Sequence, residues 1–345
     1  MIAATEPRLG ARLLVVDPNA EAWSDADISD LPGFFKAGDL LVLNDAATLP
    51  ASLSGRDLQG NKVEIRLLEA SDLDRGQARV VVFGSGDWRT PTEHRQAPAL
   101  IQGTQPFFGP ELIATIIAQD PRSERLVSLH FNRVGAELIH LLYHLGRPVQ
   151  YSYMTQDLPL SAVQTAFATR PWAMEMPSAA RPLDLALLAR LRLRGVEIAT
   201  LTHAASLSSI GDEALDALLP FPERYEIPER THQAIQATHA AGGRVIAAGT
   251  TVTRALEGAA RQGNLSGETD LILDAGTKLQ VVDGLLSNMH GPGESHFRVL
   301  ATLAAPALLQ RASLHAEKAG YLAHEFGDAT LVLAGALGAQ AGNIR

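Results

Sequence analysis

The chain contains no cysteine in its 345 residues. Disulfides, thiolate nucleophiles and cysteine-ligated zinc are therefore excluded. It also lacks any apolar run of the roughly 18–20 residues that a membrane-spanning helix requires, so no membrane association is expected. Residues 1–9 lack the basic stretch and apolar core of a secretory signal. Excess positive charge is missing too. The formal net charge is -9, which rules out a generally basic nucleic-acid-binding surface and leaves room only for a local basic face. The common nucleotide and hydrolase signatures are absent. Gly84-Ser85-Gly86 has Arg89 where a dinucleotide fingerprint needs its third glycine, and there is neither a Walker loop nor a GxSxG elbow. The cytosol is the compartment these absences fit.

What is present is an ordinary globular composition, 46% hydrophobic and 19% charged. The length suffices for two domains, or for one large domain carrying an insertion. In the first third, short apolar runs at 11–16, 39–43, 62–68 and 79–83 alternate with turn residues and predict strands. Asp57 to Asn61 predicts a hairpin turn. Residues 84–109 read as loops and irregular strands, while 110–118 and 135–145 have helical spacing. Beyond about Tyr151, helices and strands alternate. Helices are predicted at 182–194, 229–241, 252–262 and 295–319, the last broken at Pro306. Strands are predicted at 196–201, 244–248, 271–274, 280–282 and 330–333. This alternation predicts an α/β core with an inserted or appended mostly-β domain. Residues 1–50 plus 147–345 are assigned to the core and 51–146 to the insert.

Four segments could carry chemistry, each with a plainer alternative. Gly249-Thr250-Thr251-Val252-Thr253-Arg254 follows a buried strand and opens a helix. Free N–H groups at a helix start attract anions and polar oxygens, and ligands collect at the carboxyl ends of strands in α/β sheets. Alternatively, a threonine caps the helix and Arg254 pairs with a carboxylate such as Glu257. Glu223-Arg224-Tyr225-Glu226 could hold ribose hydroxyls or transfer protons, or it could be a solvated loop ahead of a helix begun by Pro228. His203 stands at the end of the 196–201 strand, as an acid or base or as a structural histidine. Asn288-Met289-His290-Gly291-Pro292-Gly293 is a glycine-rich turn bearing an amide and a histidine, or simply a connector. His140 and His144 lie one helical turn apart, but HLLYH lacks the glutamate of a metalloprotease helix, so no metal is expected.

Taken together, Glu223–Glu229, Gly249–Glu257 and Val281–His290 resemble, in order and spacing, the S-adenosylmethionine:tRNA ribosyltransferase-isomerase family of queuosine biosynthesis. Gly38–Asp45, Leu49-Pro50-Ala51 and Gly60–Ile65 are similar to that family's opening segments, and Tyr321–Asp328 to its closing motif. The resemblance is weakest over residues 83–146. It implies an α/β core with an inserted β-barrel. It also implies an enzyme that moves the ribosyl part of S-adenosylmethionine onto a 7-aminomethyl-7-deazaguanine base in tRNA. The ribose becomes an epoxycyclopentane, and adenine and methionine leave. No metal is needed, because the sulfonium acidifies the neighbouring C5′ hydrogens for a positioned base.

The resemblance has gaps. Pro177-Ser178-Ala179-Ala180-Arg181-Pro182-Leu183 stands where the family has Pro-Thr-Ala-Gly-Leu-His-Phe. His203 is kept, but Ala204–Ser209 lacks the glycines that follow it in the family. Phe221-Pro222 replaces a His-Ser, and Met289-His290-Gly291-Pro292 replaces Phe-His-Leu-Pro. On this reading His203, His290 and Glu223 are the expected catalytic residues. Thr250, Thr251, Arg254, Tyr225 and Asn288 are expected to bind S-adenosylmethionine. An adenosyl-sulfonium small molecule and tRNA are the expected partners. A small-molecule acceptor in place of tRNA, or a noncatalytic binding protein on the same fold, are the alternatives the changed motifs leave open.

Overall fold

The computed structural model describes residues 1–8 and 10–340, with side chains to 338. Its main sheet has nine strands. In spatial order they are Ser266–Thr269, Glu223–Glu226, Glu197–His203, Leu40–Asn44, Val245–Ala248, Gly284–Asn288, Ala329–Leu333, Arg12–Asp17 and Ala22–Asp27. The four strands from Glu197–His203 to Gly284–Asn288 run parallel. Their carboxyl ends therefore lie along one edge, as doubly covered parallel sheets require for a ligand crevice.

The central strands are apolar without alternation because both faces are covered. Leu40, Val42, Val245, Ala247 and Leu285 pack on one side, against the helices Glu229–Ala240, Thr250–Gln262 and Pro306–Lys318. Leu41, Leu43, Ile246, Ala248 and Leu286 pack on the other, with Leu187, Leu188 and Leu191 of the helix Leu185–Leu193. Pro306 does not break a single helix. It begins the second of two, at a first-turn position where its missing N–H costs nothing.

The mixed α/β architecture thus matches the expectation. The segment between the first and second parallel strands contains a second sheet of five antiparallel strands, in the order Ser52–Arg56, Lys62–Leu67, Gln77–Phe83, Leu126–Phe131, Ala114–Gln119. Asp57 closes the first hairpin by accepting backbone N–H bonds from Gln59 and Asn61. The ladder of these strands is open rather than a closed barrel, with Ser52–Arg56 and Ala114–Gln119 at opposite edges. Residues 103–107 run between those edges. Phe107 exchanges backbone bonds with Arg56, and Thr104 and Pro106 accept from Ile116 and Ala114. Gly55 permits this approach, since a Cβ there would lie 2.2 Å from the Phe107 carbonyl oxygen.

Three local expectations are corrected. Residues 110–118 are not helical. Ala114–Gln119 is a strand, because its long-range ladder with Leu126–Phe131 outweighs the local spacing. Residues 280–282 form no strand. The N–H groups of Gln280, Val281 and Val282 are donated instead to the buried Glu257 carboxylate, at 2.9–3.1 Å. Residues 271–274 also lie outside any ladder, and the Leu271 carbonyl accepts from Arg254. His140 and His144 stack on an exposed helix face. Among the described residues no group of three or more His, Asp or Glu is arranged to hold a metal, and no helix is long and apolar enough to cross a membrane.

Candidate active site

Gly249 leaves the buried strand Val245–Ala248 with φ +108, a conformation that L side chains rarely adopt, and becomes the N-cap of Thr250–Gln262. It supplies no side chain to occupy the first-turn N–H groups. The alternative of a threonine cap is not realised, since the N-cap is Gly249 itself. Thr253 instead donates its hydroxyl back to the Gly249 carbonyl at 3.2 Å. Thr250 is buried, and the Thr251 hydroxyl is buried without a hydrogen-bond partner.

On one side of this turn lie His203, Glu223 and Arg254. Asn44 joins the neighbouring strand ends by accepting from the His203 N–H at 2.9 Å and donating to the His203 carbonyl at 3.0 Å. The His203 ring is wholly buried, and neither ring nitrogen makes a hydrogen bond. Its Nε2 stands 3.4 Å from a Glu223 oxygen. Burial pushes His203 down to about 4, with Glu223 opposing and Arg254 reinforcing, so the imidazole is neutral. Arg254 is ion-paired with Glu223 and also donates to the Leu271 carbonyl at 3.1 Å. The other Glu223 oxygen accepts the Ser206 N–H at 2.7 Å. The partner suggested for Arg254, Glu257, is taken by Arg261 at 2.7 Å.

On the other side lie Asn288 and His290. Asn288 accepts from the Ser178 hydroxyl at 3.0 Å and donates to the His324 carbonyl at 3.2 Å. Ser178 belongs to the altered 177–183 segment, whose Ala179 also sits against Gly249, 3.5 Å from the position a Cβ would take there. His290 Nδ1 is 2.9 Å from Glu294, while its ring stacks on His296 at 4.3 Å and meets His324 edge-on at 6.4 Å. Burial raises Glu294, but the His290 contact and the Gly291 N–H outweigh it and hold the carboxyl at about 2. Burial and the neighbouring His290 push His296 down to about 3.

Tyr225 pairs with His203 along the sheet, but its side chain turns into the core. It is fully buried, with its hydroxyl 2.9 Å from Gln262 Oε1 and 3.2 Å from the Asn264 carbonyl. Conversely, Glu294, His296 and His324 were not singled out in the sequence. The spacing of His290 and Glu294, four residues apart across a turn, is the one local sign of their contact. The meeting of His324 with His290 has no local sign at all.

The family model described as queuosine biosynthesis protein matches residues 2–332. An S-adenosylmethionine:tRNA ribosyltransferase-isomerase from Acidithiobacillus ferrooxidans is 34% identical over 334 residues, covering 94% of this chain and 92% of that protein. One from Gloeobacter violaceus is 34% identical over 351 residues, covering 96% and 91%. The crystal structure of S-adenosylmethionine tRNA ribosyltransferase from Thermotoga maritima superposes with a TM-score of 0.53 at 23% identity, covering 96% of both chains, which shows the shared fold. The strand-end turn, the sheet that carries it and the near-complete match in both directions have one meaning: the chain belongs to the queuosine biosynthesis protein family.

Proposed function

We propose that this protein transfers the ribosyl part of S-adenosylmethionine to a 7-deazaguanine base in tRNA and isomerises it, releasing adenine and methionine. The observation that carries the reading is the end-to-end similarity to S-adenosylmethionine:tRNA ribosyltransferase-isomerases. The strand-end edge suits the chemistry. It combines open helix N–H groups, an unpartnered threonine hydroxyl and two separate histidine–glutamate contacts.

In this reading His290 is the proton acceptor at C5′. Glu294 orients the imidazole through Nδ1 and leaves Nε2 to take the proton that the sulfonium has acidified. His203, with a neutral ring that makes no hydrogen bond, accepts or relays a second proton, and its unfilled ring nitrogens are the kind of buried polar atoms a ligand completes. Glu223 holds His203's surroundings, and Arg254 secures Glu223 rather than meeting the ligand directly. Thr250, Thr251 and Asn288 present the polar contacts around the turn, and the Thr250–Gln262 helix start favours negative charge that develops on the departing adenine. Tyr225 serves packing.

The two-part organisation, with 51–146 as a barrel-like insert on a 1–50 plus 147–345 core, is part of the same reading. It is supported by the residues 103–107 that span the edges of the five-stranded sheet. A tRNA-modifying role carries a cytoplasmic location with it.

Incubation with S-adenosylmethionine, with and without tRNA bearing the aminomethyl base, tests the reading. Adenine and methionine should appear only with the modified tRNA. Release without tRNA would move the acceptor to a small molecule, and binding without release would leave a noncatalytic protein.

A further inference from the structure

Beside the strand-end edge lies a narrow, partly open cleft that none of these roles uses. Its walls include Met154, Met174 and Met176, and into it face two tyrosine–glutamate pairs, Tyr151 with Glu175 and Tyr153 with Glu325. The rings of Tyr151 and Tyr153 stack at 5.8 Å, and Tyr153 stacks on His324 at 5.1 Å. This ladder leads to His290, which His324 meets edge-on. The cleft and the proposed reaction edge are therefore neighbours.

Several buried carboxylates elsewhere are matched by guanidinium groups, Glu64 by Arg66 and Arg95, Glu257 by Arg261 and Asp39 by Arg244, while buried Asp17 and Asp57 are ringed by backbone N–H donors. Among the described residues neither Glu175 nor Glu325 has an ion-pair partner. Each is held by a tyrosine hydroxyl, and Glu175 also by the Ser208 N–H at 3.1 Å. Burial pushes Glu175 up to about 7, with Tyr151 opposing and Glu325 reinforcing. Glu175 and Glu325 are half-buried, and carboxylates withdrawn from water without a counter-charge are costly. Flanked by aromatic faces and polarisable thioethers, they form a receptor for an organic cation that also carries apolar groups.

We propose that the Tyr151–Glu175/Tyr153–Glu325 cleft binds the cationic portion of the adenosyl co-substrate, either its sulfonium or its α-ammonium. This rests on the proposed function. The two cations share one recognition chemistry, and suitable analogues separate them.

The test is calorimetric binding of S-adenosylmethionine, S-adenosylhomocysteine and methylthioadenosine to the intact protein, comparing wild type with Glu175→Gln/Glu325→Gln. S-adenosylmethionine should bind the variant about ten- to a hundredfold more weakly, while methylthioadenosine, which has neither cation, binds both proteins alike. An equal loss for S-adenosylhomocysteine assigns the α-ammonium to the cleft. An undiminished S-adenosylhomocysteine assigns the sulfonium. Tyr153→Phe keeps the ring and removes only the hydroxyl that anchors Glu325, so it should show a smaller loss in the same direction even if the double variant folds poorly. Unchanged S-adenosylmethionine binding in both variants overturns the proposal and leaves the proposed function standing, as does an equal loss for methylthioadenosine. Failure of the wild type to bind S-adenosylmethionine at all sinks both.

Discussion

Glu223 and Glu175 both fasten the loop that follows His203, one through the Ser206 N–H and the other through the Ser208 N–H. Their remaining surroundings are opposite. Glu223 has a guanidinium, Arg254, and an imidazole beside it. Glu175 has a tyrosine hydroxyl and a second carboxylate nearby. The first arrangement is complete within the protein and reads as structure that holds a site in shape. The second lacks its counter-charge and reads as a place for a ligand. Glu223 is buried and Glu175 half-buried. The identity of the neighbours separates the two.

The sharpest way to break this contrast is to open the closed pair. Arg254→Ala leaves Glu223 buried and unpaired, so about 3–5 kcal/mol of stability should disappear, measured by urea unfolding. Adding Glu223→Gln should restore part of it. From the sequence, Arg254→Ala is expected to weaken ligand binding with little loss of stability; the Glu223 ion pair reverses that order. A loss below about 1 kcal/mol, the range of a surface pair, would return Arg254 to ligand contact.

Glu257→Ala is expected to cost about 2–4 kcal/mol, because it strands the N–H groups of Gln280, Val281 and Val282 and the Arg261 guanidinium. A nearly neutral result would mean that this segment holds its course without the carboxylate.

A smaller effect comes from pH. The folded His203 sits near 4, below its ordinary 6.5. Between those values the unfolded chain binds the proton and the folded chain does not, so stability should fall as pH drops from about 6.5 towards 4 and level off below. The loss should be about 1–3 kcal/mol and should shrink in His203→Gln. Matching acid profiles for the two proteins would exclude His203 as the source.

The smallest stability change is expected at the open pair. Glu175→Gln should alter stability by less than about 1 kcal/mol, or raise it slightly, because the amide removes an uncompensated charge while keeping hydrogen bonds. Thermal unfolding without ligand checks this. A large loss would make Glu175 as structural as Glu223.

Much of the core was legible because its signals are local. The run Val245-Ile246-Ala247-Ala248 ending in Gly249 announces a buried strand and a turn that only glycine enters easily. Leu187, Leu188 and Leu191 mark one helix face and bury together. The five-stranded sheet was harder to read. Residues 114–119 carry helical spacing, yet their partner strand begins beyond the turn at 120–125, and pairing decided their state. Glu223–Glu226 resembles a charged loop, but it pairs on both sides, with Glu197–His203 and with Ser266–Thr269.

By itself, then, the sequence determined the alternating α/β core, the glycine turn at its strand end and the motifs that mark the family, since each depends on residues a few positions apart. Only the tertiary structure decided which charges are spent and which are free. Arg254 meets Glu223 across 31 positions, Tyr153 meets Glu325 across 172, and Asn288 meets Ser178 across 110. Coulomb energy and hydrogen bonding depend on distance in space, and no spacing along the chain encodes that distance.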